Sequence, residues 1–431
     1  MSCKAYSGFT KSEAEAELAS LRCEYEAVRA KGLKLDMSRG KPCSQQLDLS
    51  AALLDNVSVN QNYFTADNVD VRNYGVPYGI KELRGLFGEL LNTSADKVIV
   101  CGVSSLNIMF DFISNAFIKG LPNSKMPWAK ENKIKFICPA PGYDRHFKMC
   151  EHFGIEMIAV PFDGEGPDMD MVEKLVAGDE SIKGIWCVPM YSNPTGTLYS
   201  EKTTKRLASM KCAAKDFVIM WDDAYCVHNF GSENAPIFDL LGECERAGNP
   251  NRAVVFTSTS KITYAGAGVT CICLNNPLLG EVKEFMSVQT IGHDKINQLR
   301  HFRFLKSKEN IISHMEKHAA IIKPKFEKFY DIFQSELGDL EIASWSKPSG
   351  GYFINLITPK DTAKKIITMC AEAGVTLTSA GAAFPYGKDP EDCNIRIAPT
   401  YPSLEEIEQA AVLICVCTKI SSLEKAIAQK Q

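Results

Sequence analysis

Four loops of this chain carry residue types that could do chemistry together. Lys261 lies in Ser258-Thr259-Ser260-Lys261-Ile262-Thr263-Tyr264-Ala265-Gly266-Ala267-Gly268, between small residues that let a ligand come close. A lysine amine so placed can form an imine with a carbonyl compound, although most lysines are solvated surface charges. Asp222, in Asp222-Asp223-Ala224-Tyr225, ends an apolar run. A carboxylate there is costly unless a cation meets it, and capping the next turn is its bland alternative. Tyr191-Ser192-Asn193-Pro194-Thr195-Gly196 is a run of turn formers. Gly102-Val103-Ser104-Ser105-Leu106 brings backbone N–H groups and two hydroxyls to the start of an apolar helix, which suits a phosphate as well as a simple cap.

Side chains so far apart in sequence meet only if the elements before them end at one edge. Val98–Cys101, Ile134–Cys138, Met157–Pro161, Ile182–Pro189, Phe217–Trp221, Ala253–Thr257 and Val269–Leu274 read as strands. Several are apolar on both faces, as in a buried parallel sheet. Amphipathic stretches such as Tyr143–Phe153 and Glu201–Ala214 alternate with them, which predicts an α/β unit. In open sheets of this kind ligands bind beyond the carboxyl ends of the strands, and all four loops follow such ends. Ahead of this unit, Ser12 and Glu15 form an S-x-x-E capping box for a helix with Leu18, Leu21, Tyr25 and Val28 on one stripe. Behind it the spacing predicts a long helix over 308–337 that Pro324 kinks. Strands at Gly351–Ile357, Val375–Thr378 and Asn394–Ile397, a helix near Thr362–Ala373 and a last helix capped by Ser403 with Glu406 follow, composing a smaller α+β unit.

Composition narrows the class. With 431 residues the chain exceeds one compact domain, and 45% apolar with 23% charged residues excludes a disordered or fibrous protein. The 48 basic residues against 52 acidic ones give a net charge of -4, so neither nucleic acid nor an anionic membrane is expected as a partner. The longest apolar run, Ala410–Cys417, is far short of the ~20 residues that cross a bilayer. Met1–Lys11 lacks the apolar core of a secretory leader. Sixteen cysteines form no CxxC pair, and Cys187, Cys271, Cys273, Cys415 and Cys417 sit in apolar runs. Buried, reduced thiols of a cytoplasmic protein are expected. No metal is expected either: His314 and His318 read as surface or interface histidines, and Asp163, Asp168 and Asp170 miss the EF-hand spacing.

Taken in order, the loops resemble the fold type I pyridoxal-phosphate enzymes, specifically the class I aminotransferases. Asn193-Pro194-Thr195-Gly196 resembles that family's N-P-T-G turn, Asp222-Asp223-Ala224-Tyr225 its D-x-x-Y, and Ser258-Thr259-Ser260-Lys261 its S-x-S-K. Tyr74 through Leu83-Arg84 is similar to its Y-x4-G-x3-L-R segment, Pro139–Tyr143 to P-x-P-x-Y, and Asn394–Ile397 to x-x-R-[IL]. Ser38-Arg39-Gly40-Lys41-Pro42 and Ser260–Gly268 resemble an aspartate-aminotransferase-like subgroup, whose domain is also similar to the aminotransferase half of MocR-type regulators.

The resemblance implies an α/β fold, with a mainly parallel sheet in a large domain and a smaller α+β domain built from both chain ends. Residues 1–54 would form the N-terminal helix and arm, 55–307 the cofactor domain, and 308–431 the linking helix and small domain. It implies pyridoxal 5'-phosphate as cofactor. Lys261 would carry it covalently and then act as general acid and base, with Asp222 holding the pyridine nitrogen protonated. Tyr225 and Asn193 would bond the ring's 3-oxygen, and Tyr143 would stack on its face. Ser104, Ser105, Leu106, Ser258 and Ser260 would take the phosphate, with Tyr74 reaching in from a second subunit of a homodimer with shared sites. Arg396 would pair with the substrate α-carboxylate, and Gly40 would let backbone approach the substrate. The implied reaction is a ping-pong transamination between an L-amino acid, aspartate first, and a 2-oxo acid, 2-oxoglutarate first. A second cation would then meet the distal carboxylate, with Lys295, Arg300, Arg303 and Arg39 as candidates. One departure stands out: where the family carries a phosphate-binding arginine seven residues after the lysine, this chain has Gly268. The alternatives are a lyase or decarboxylase on the same fold, or a non-catalytic sensor related to MocR regulators. The sensor would need a basic winged helix, whereas the fifty or so residues ahead of the first motifs read as helical and mildly acidic.

Overall fold

The computed structural model describes residues 5–58, 61–231 and 235–429. Its strands, in chain order, are β1 (Leu35–Asp36), β2 (Val98–Val100), β3 (Lys135–Pro139), β4 (Glu156–Val160), β5 (Ile182–Cys187), β6 (Val218–Asp222), β7 (Ala253–Ser258), β8 (Thr270–Leu274), β9 (Ser344–Trp345), β10 (Ile354–Ile357), β11 (Val375–Thr376) and β12 (Asn394–Ile397). Seven make one sheet in the order β2-β8-β7-β6-β5-β3-β4. The pairs β3–β4, β3–β5, β5–β6 and β6–β7 are parallel, and β8 runs antiparallel to both of its neighbours. Consequently every strand of this sheet except β8 points the same way.

Both faces of the sheet are buried, which is why its strands read as continuous apolar runs rather than alternating ones. Along β6, Ile219 and Trp221 join one core, with Ile137 and Ile185. Val218 and Met220 join the core on the opposite face, with Phe136, Trp186 and Phe256. A separate core gathers residues from both ends of the chain: Leu18, Leu21 and Tyr25 pack with Phe326, Phe329, Ile354, Ile395 and Ile414. There β12-β10-β9 form a small antiparallel sheet, and β1 pairs with β11 in parallel.

Several boundaries differ from those the sequence predicts. The first helix, Lys11–Arg29, is capped by Thr10 with Glu13 as the reciprocal partner, two residues before the expected Ser12 and Glu15. Both pairs fit S/T-x-x-E, and in the helix that starts two residues earlier Ala14 is buried as well as Leu18. The expected Ser403 and Glu406 box does form. The helix Lys308–Leu337 runs through Pro324 as a single helix. A proline inside a helix costs about 3 kcal/mol, but burying Ile322, Phe326, Phe329 and Phe333 along that stripe contributes roughly 1.5–3 kcal/mol each, so packing wins. His314 and His318 on this helix are buried against Ile262 and Gln46 of the same chain, contrary to the surface or interface placement expected of them. Among the described cysteines all but Cys23, Cys212 and Cys393 are buried, and none is in a disulfide. No helix among the described residues is long and apolar enough to cross a membrane.

Candidate active site

Because β2, β3, β5, β6 and β7 share a direction, the loops after them converge on one edge of the sheet. A cavity of about 160 Å³ lies there. Ser104, Ser105 and Leu106 line it from the loop after β2, Tyr143 from that after β3, and Asn193 from that after β5. Asp222 and Tyr225 enter from β6 and its loop, and Ser258, Ser260 and Lys261 from β7. Tyr74 is 79% exposed and does not line this cavity.

The electrostatics separate two ends. At one, Asp222 is buried, and its Oδ2 lies 3.1 Å from Nε2 of His146 while Oδ1 has no partner among the described residues. Lys261 Nζ sits 4.7 Å from the centre of the Tyr225 ring. Burial pushes the lysine amine below the usual range, with the Asp222 carboxylate pulling the other way. Burial first, and then Tyr143 and Asp222, hold the Tyr225 hydroxyl far above the usual phenol value, so it remains a donor. Tyr143 is pushed up to about 12, again by burial and then by Asp222 and Asp144. At the other end, Ser105 opens the helix Ser105–Lys119, whose first N–H groups point outward from the positive end of its dipole. Ser258 Oγ donates to Ser260 Oγ at 3.2 Å beside it.

These residues fit pyridoxal phosphate. An orphaned buried carboxylate oxygen asks for a cationic N–H donor such as a pyridinium, the amine lies on the same cavity wall, and the helix start with its hydroxyls suits a dianion. A Cβ on Gly268 would lie 3.1 Å from the backbone nitrogen of Ser260 and 3.1 Å from its Oγ, so this backbone hugs the hydroxyl end of the cavity. Among the described residues lining the cavity, Lys261 is the only cation.

Arg396, in the middle of β12, is 6% exposed. Its Nη1 donates to Asp144 Oδ1 at 2.8 Å and to Asn193 Oδ1 at 3.3 Å, and its Nε to Thr378 Oγ1 at 3.2 Å. Asn193 thus joins the arginine to the cavity. The guanidinium also faces the Phe353 ring, 5.3 Å from its centre. A Cβ on Gly40 would come within 2.6 Å of that same ring, so Gly40 is small because Phe353 needs the space. Of the other cation candidates none lines the cavity. Arg303 is tied to the carbonyls of Asn56 and Asn62, Arg300 to Asn297, and Lys295 is buried at the start of its helix. Arg39 is exposed beside Gly40.

Sequence reasoning missed three groups. His146, one turn beyond Tyr143, is buried, stacks on Trp186 with ring centres 4.1 Å apart and reaches Asp222. A histidine three residues after a loop aromatic was the available signal. Asp144, the first residue of the same helix, pairs with Arg396. His314 places Nε2 2.8 Å from the carbonyl of Ile262, directly behind Lys261, and His318 Nδ1 lies 3.1 Å from Gln46 Nε2.

A family profile described as aspartate amino-transferase matches residues 9–430. An aspartate aminotransferase from Corynebacterium glutamicum is 44% identical over 404 residues, covering 94% of this chain and 93% of that protein. The crystal structure of an aspartate transaminase from Corynebacterium glutamicum superimposes with a TM-score of 0.95 at 42% identity, covering 99% of this chain and 100% of that one. An alpha-aminoadipate aminotransferase from Thermus thermophilus, complexed with N-(5'-phosphopyridoxyl)-L-leucine, shares the fold at a TM-score of 0.72 and 20% identity, over 98% of this chain and 100% of that one.

Proposed function

The chain belongs to the aspartate aminotransferase family of fold type I pyridoxal-phosphate enzymes, and from that premise we propose that it moves an amino group from aspartate to 2-oxoglutarate in a ping-pong cycle. It is an aminotransferase, and pyridoxal phosphate is the family's cofactor. The observation that carries the site assignment is the meeting of Lys261, the unpartnered oxygen of Asp222 and the Ser105 helix start in one cavity, with Arg396 at its side.

Pyridoxal phosphate, when bound, supplies an electrophilic carbon for the amine and a ring that takes up the electron pair left when the substrate loses its Cα proton. The chain does the rest. Arg396 binds the substrate α-carboxylate and so aims the Cα–H bond at Lys261. Lys261, its amine made less basic by burial, would be the group that takes up the Cα proton and gives one back, as general base and then general acid. Asp222 keeps a proton on the ring nitrogen, and the Tyr225 hydroxyl donates to the ring oxygen. Ser104, Ser105, Leu106, Ser258 and Ser260 hold the phosphate. For the distal carboxylate we favour Arg39, which is exposed one residue from Gly40, over Arg303, whose Nη1 and Nη2 donate to the carbonyls of Asn56 and Asn62.

We also propose a cytoplasmic homodimer with shared sites, in which Tyr74 completes the phosphate site of the partner subunit. Support comes from the exposed apolar side chains of Tyr74, Val103 and Ile291. The large domain would span 55–307, and the small domain 308–431 together with the arm 1–54.

A panel of amino donors with 2-oxoglutarate, read for oxo-acid product, tests the reaction. Aspartate should give oxaloacetate and glutamate, and Lys261→Ala should neither do so nor form a borohydride-stable link to the cofactor. Failure of every donor to yield an oxo acid would sink the assignment, and alanine plus carbon dioxide from aspartate would replace it with decarboxylation.

A further inference from the structure

Arg396, read above as the holder of the substrate α-carboxylate, is ion-paired with Asp144, and the role given to Asp144 below rests on that reading. We propose that Asp144 is the resident counter-ion of Arg396, a carboxylate that the incoming substrate carboxylate displaces, and that Asp144 therefore sets the affinity for the amino acid.

Three observations carry it. The guanidinium is 6% exposed, and a buried charge left without an ionic partner is strongly unfavourable. Of the three acceptors on it, Asn193 and Thr378 are neutral, which leaves Asp144 as the one formal charge that answers it among the described residues. Second, an α-carboxylate pairs with a guanidinium through two parallel N–H bonds, and one of the two terminal nitrogens, Nη1, already donates to Asp144 at 2.8 Å. A bidentate ligand and Asp144 compete for that nitrogen. Third, the two partners differ in freedom. Arg396 is held within β12 opposite Asn355 of β10 and faces Phe353, whereas Asp144 is the first residue of its helix with its side chain 30% exposed. Asp144 can turn toward water, where the N-terminal end of the helix still favours its charge, while Arg396 stays.

Binding is then an exchange of one carboxylate for another. The arginine never faces the cavity as a bare buried cation, and the substrate must outcompete an intramolecular ligand. Asp144 acts through Arg396 and is a positioning residue, so its signature is a shift in KM rather than a loss of turnover.

The test uses the holoenzyme. Asp144→Asn, which keeps the shape and removes the charge, should lower the KM for the amino donor and the dissociation constant of succinate at least about threefold. Asp144→Glu should restore the wild-type values, and Asp144→Ser should repeat the Asn result if the amide variant folds poorly. Arg396→Lys is the control and should raise both constants. If the Asn and Ser variants leave both constants unchanged or raise them while Arg396→Lys raises them, the counter-ion role of Asp144 is overturned and the reading of Arg396 survives. If Arg396→Lys leaves both at wild-type values, the reading of Arg396 fails and the proposal with it.

Discussion

Nε2 of His146 lies 3.1 Å from Oδ2 of Asp222, and the imidazole is stacked on Trp186 with an interplanar angle of 8°. The carboxylate that faces the cavity is therefore braced from behind by a ring that is itself sandwiched in the core. Nε2 must carry the hydrogen of this contact, since the carboxylate accepts.

His146→Phe keeps the stacking and removes the donor. A hydrogen bond to a charged group contributes about 1.5–3 kcal/mol, so kcat should fall by roughly 10- to 100-fold. The cofactor absorbance should change with it, because a carboxylate freed to turn no longer holds the ring nitrogen. Unchanged kcat and spectrum would show that Asp222 is positioned without His146.

Asp223 faces away from the cavity, is buried with Oδ1 unpartnered, and is pushed up to about 8 by burial and then by Asp222. Its folded value lies above the unfolded one, so the folded state holds a proton that the unfolded state gives up. Stability contributed by the protonated form is complete below pH 4 and is lost as the pH rises to about 8. Asp223→Asn, which imitates the protonated form, should flatten that decline. Denaturant melts at pH 5 and pH 8 measure it: the variant should exceed wild type at pH 8 and match it at pH 5. An equal offset at both values would remove the ionisation from the account.

Ser260 stands where the Gly268 backbone closes on the hydroxyl end of the cavity. With no arginine there, the proposed phosphate site would rely on hydroxyls and helix amides. Ser260→Ala should cost about 1 kcal/mol of cofactor binding, roughly fivefold in affinity, read by equilibrium dialysis. Binding indifferent to this change would move the phosphate elsewhere.

Tyr74 allows a test of shared sites. Tyr74→Ala should weaken turnover, and a hybrid dimer of Tyr74→Ala with Lys261→Ala subunits should regain one intact site. If the hybrid stays as weak as its parents, Tyr74 serves its own subunit.

The convergence of the candidate residues was legible because they belong to short segments, each tied to the strand before it. Asp222 ends an apolar strand and Lys261 follows one, and parallel strands in one sheet must deliver their ends to the same edge. Order and spacing therefore pointed to the fold class and to one sheet edge, where the lysine, the acid and the serines do line one cavity.

What only the tertiary structure decided depends on how elements dock. His146 and Asp144 both lie on the helix Asp144–Phe153, and no periodicity tells which of its polar residues turns inward until that helix is laid on the sheet beside Trp186 and β12. The burial of His314 and His318 arises likewise, from a helix pressed against the carbonyl after Lys261. The site's residue types follow from local chain chemistry, whereas its counter-ions are chosen by long-range packing, since a buried charge takes its partner from whatever element is brought within hydrogen-bond distance.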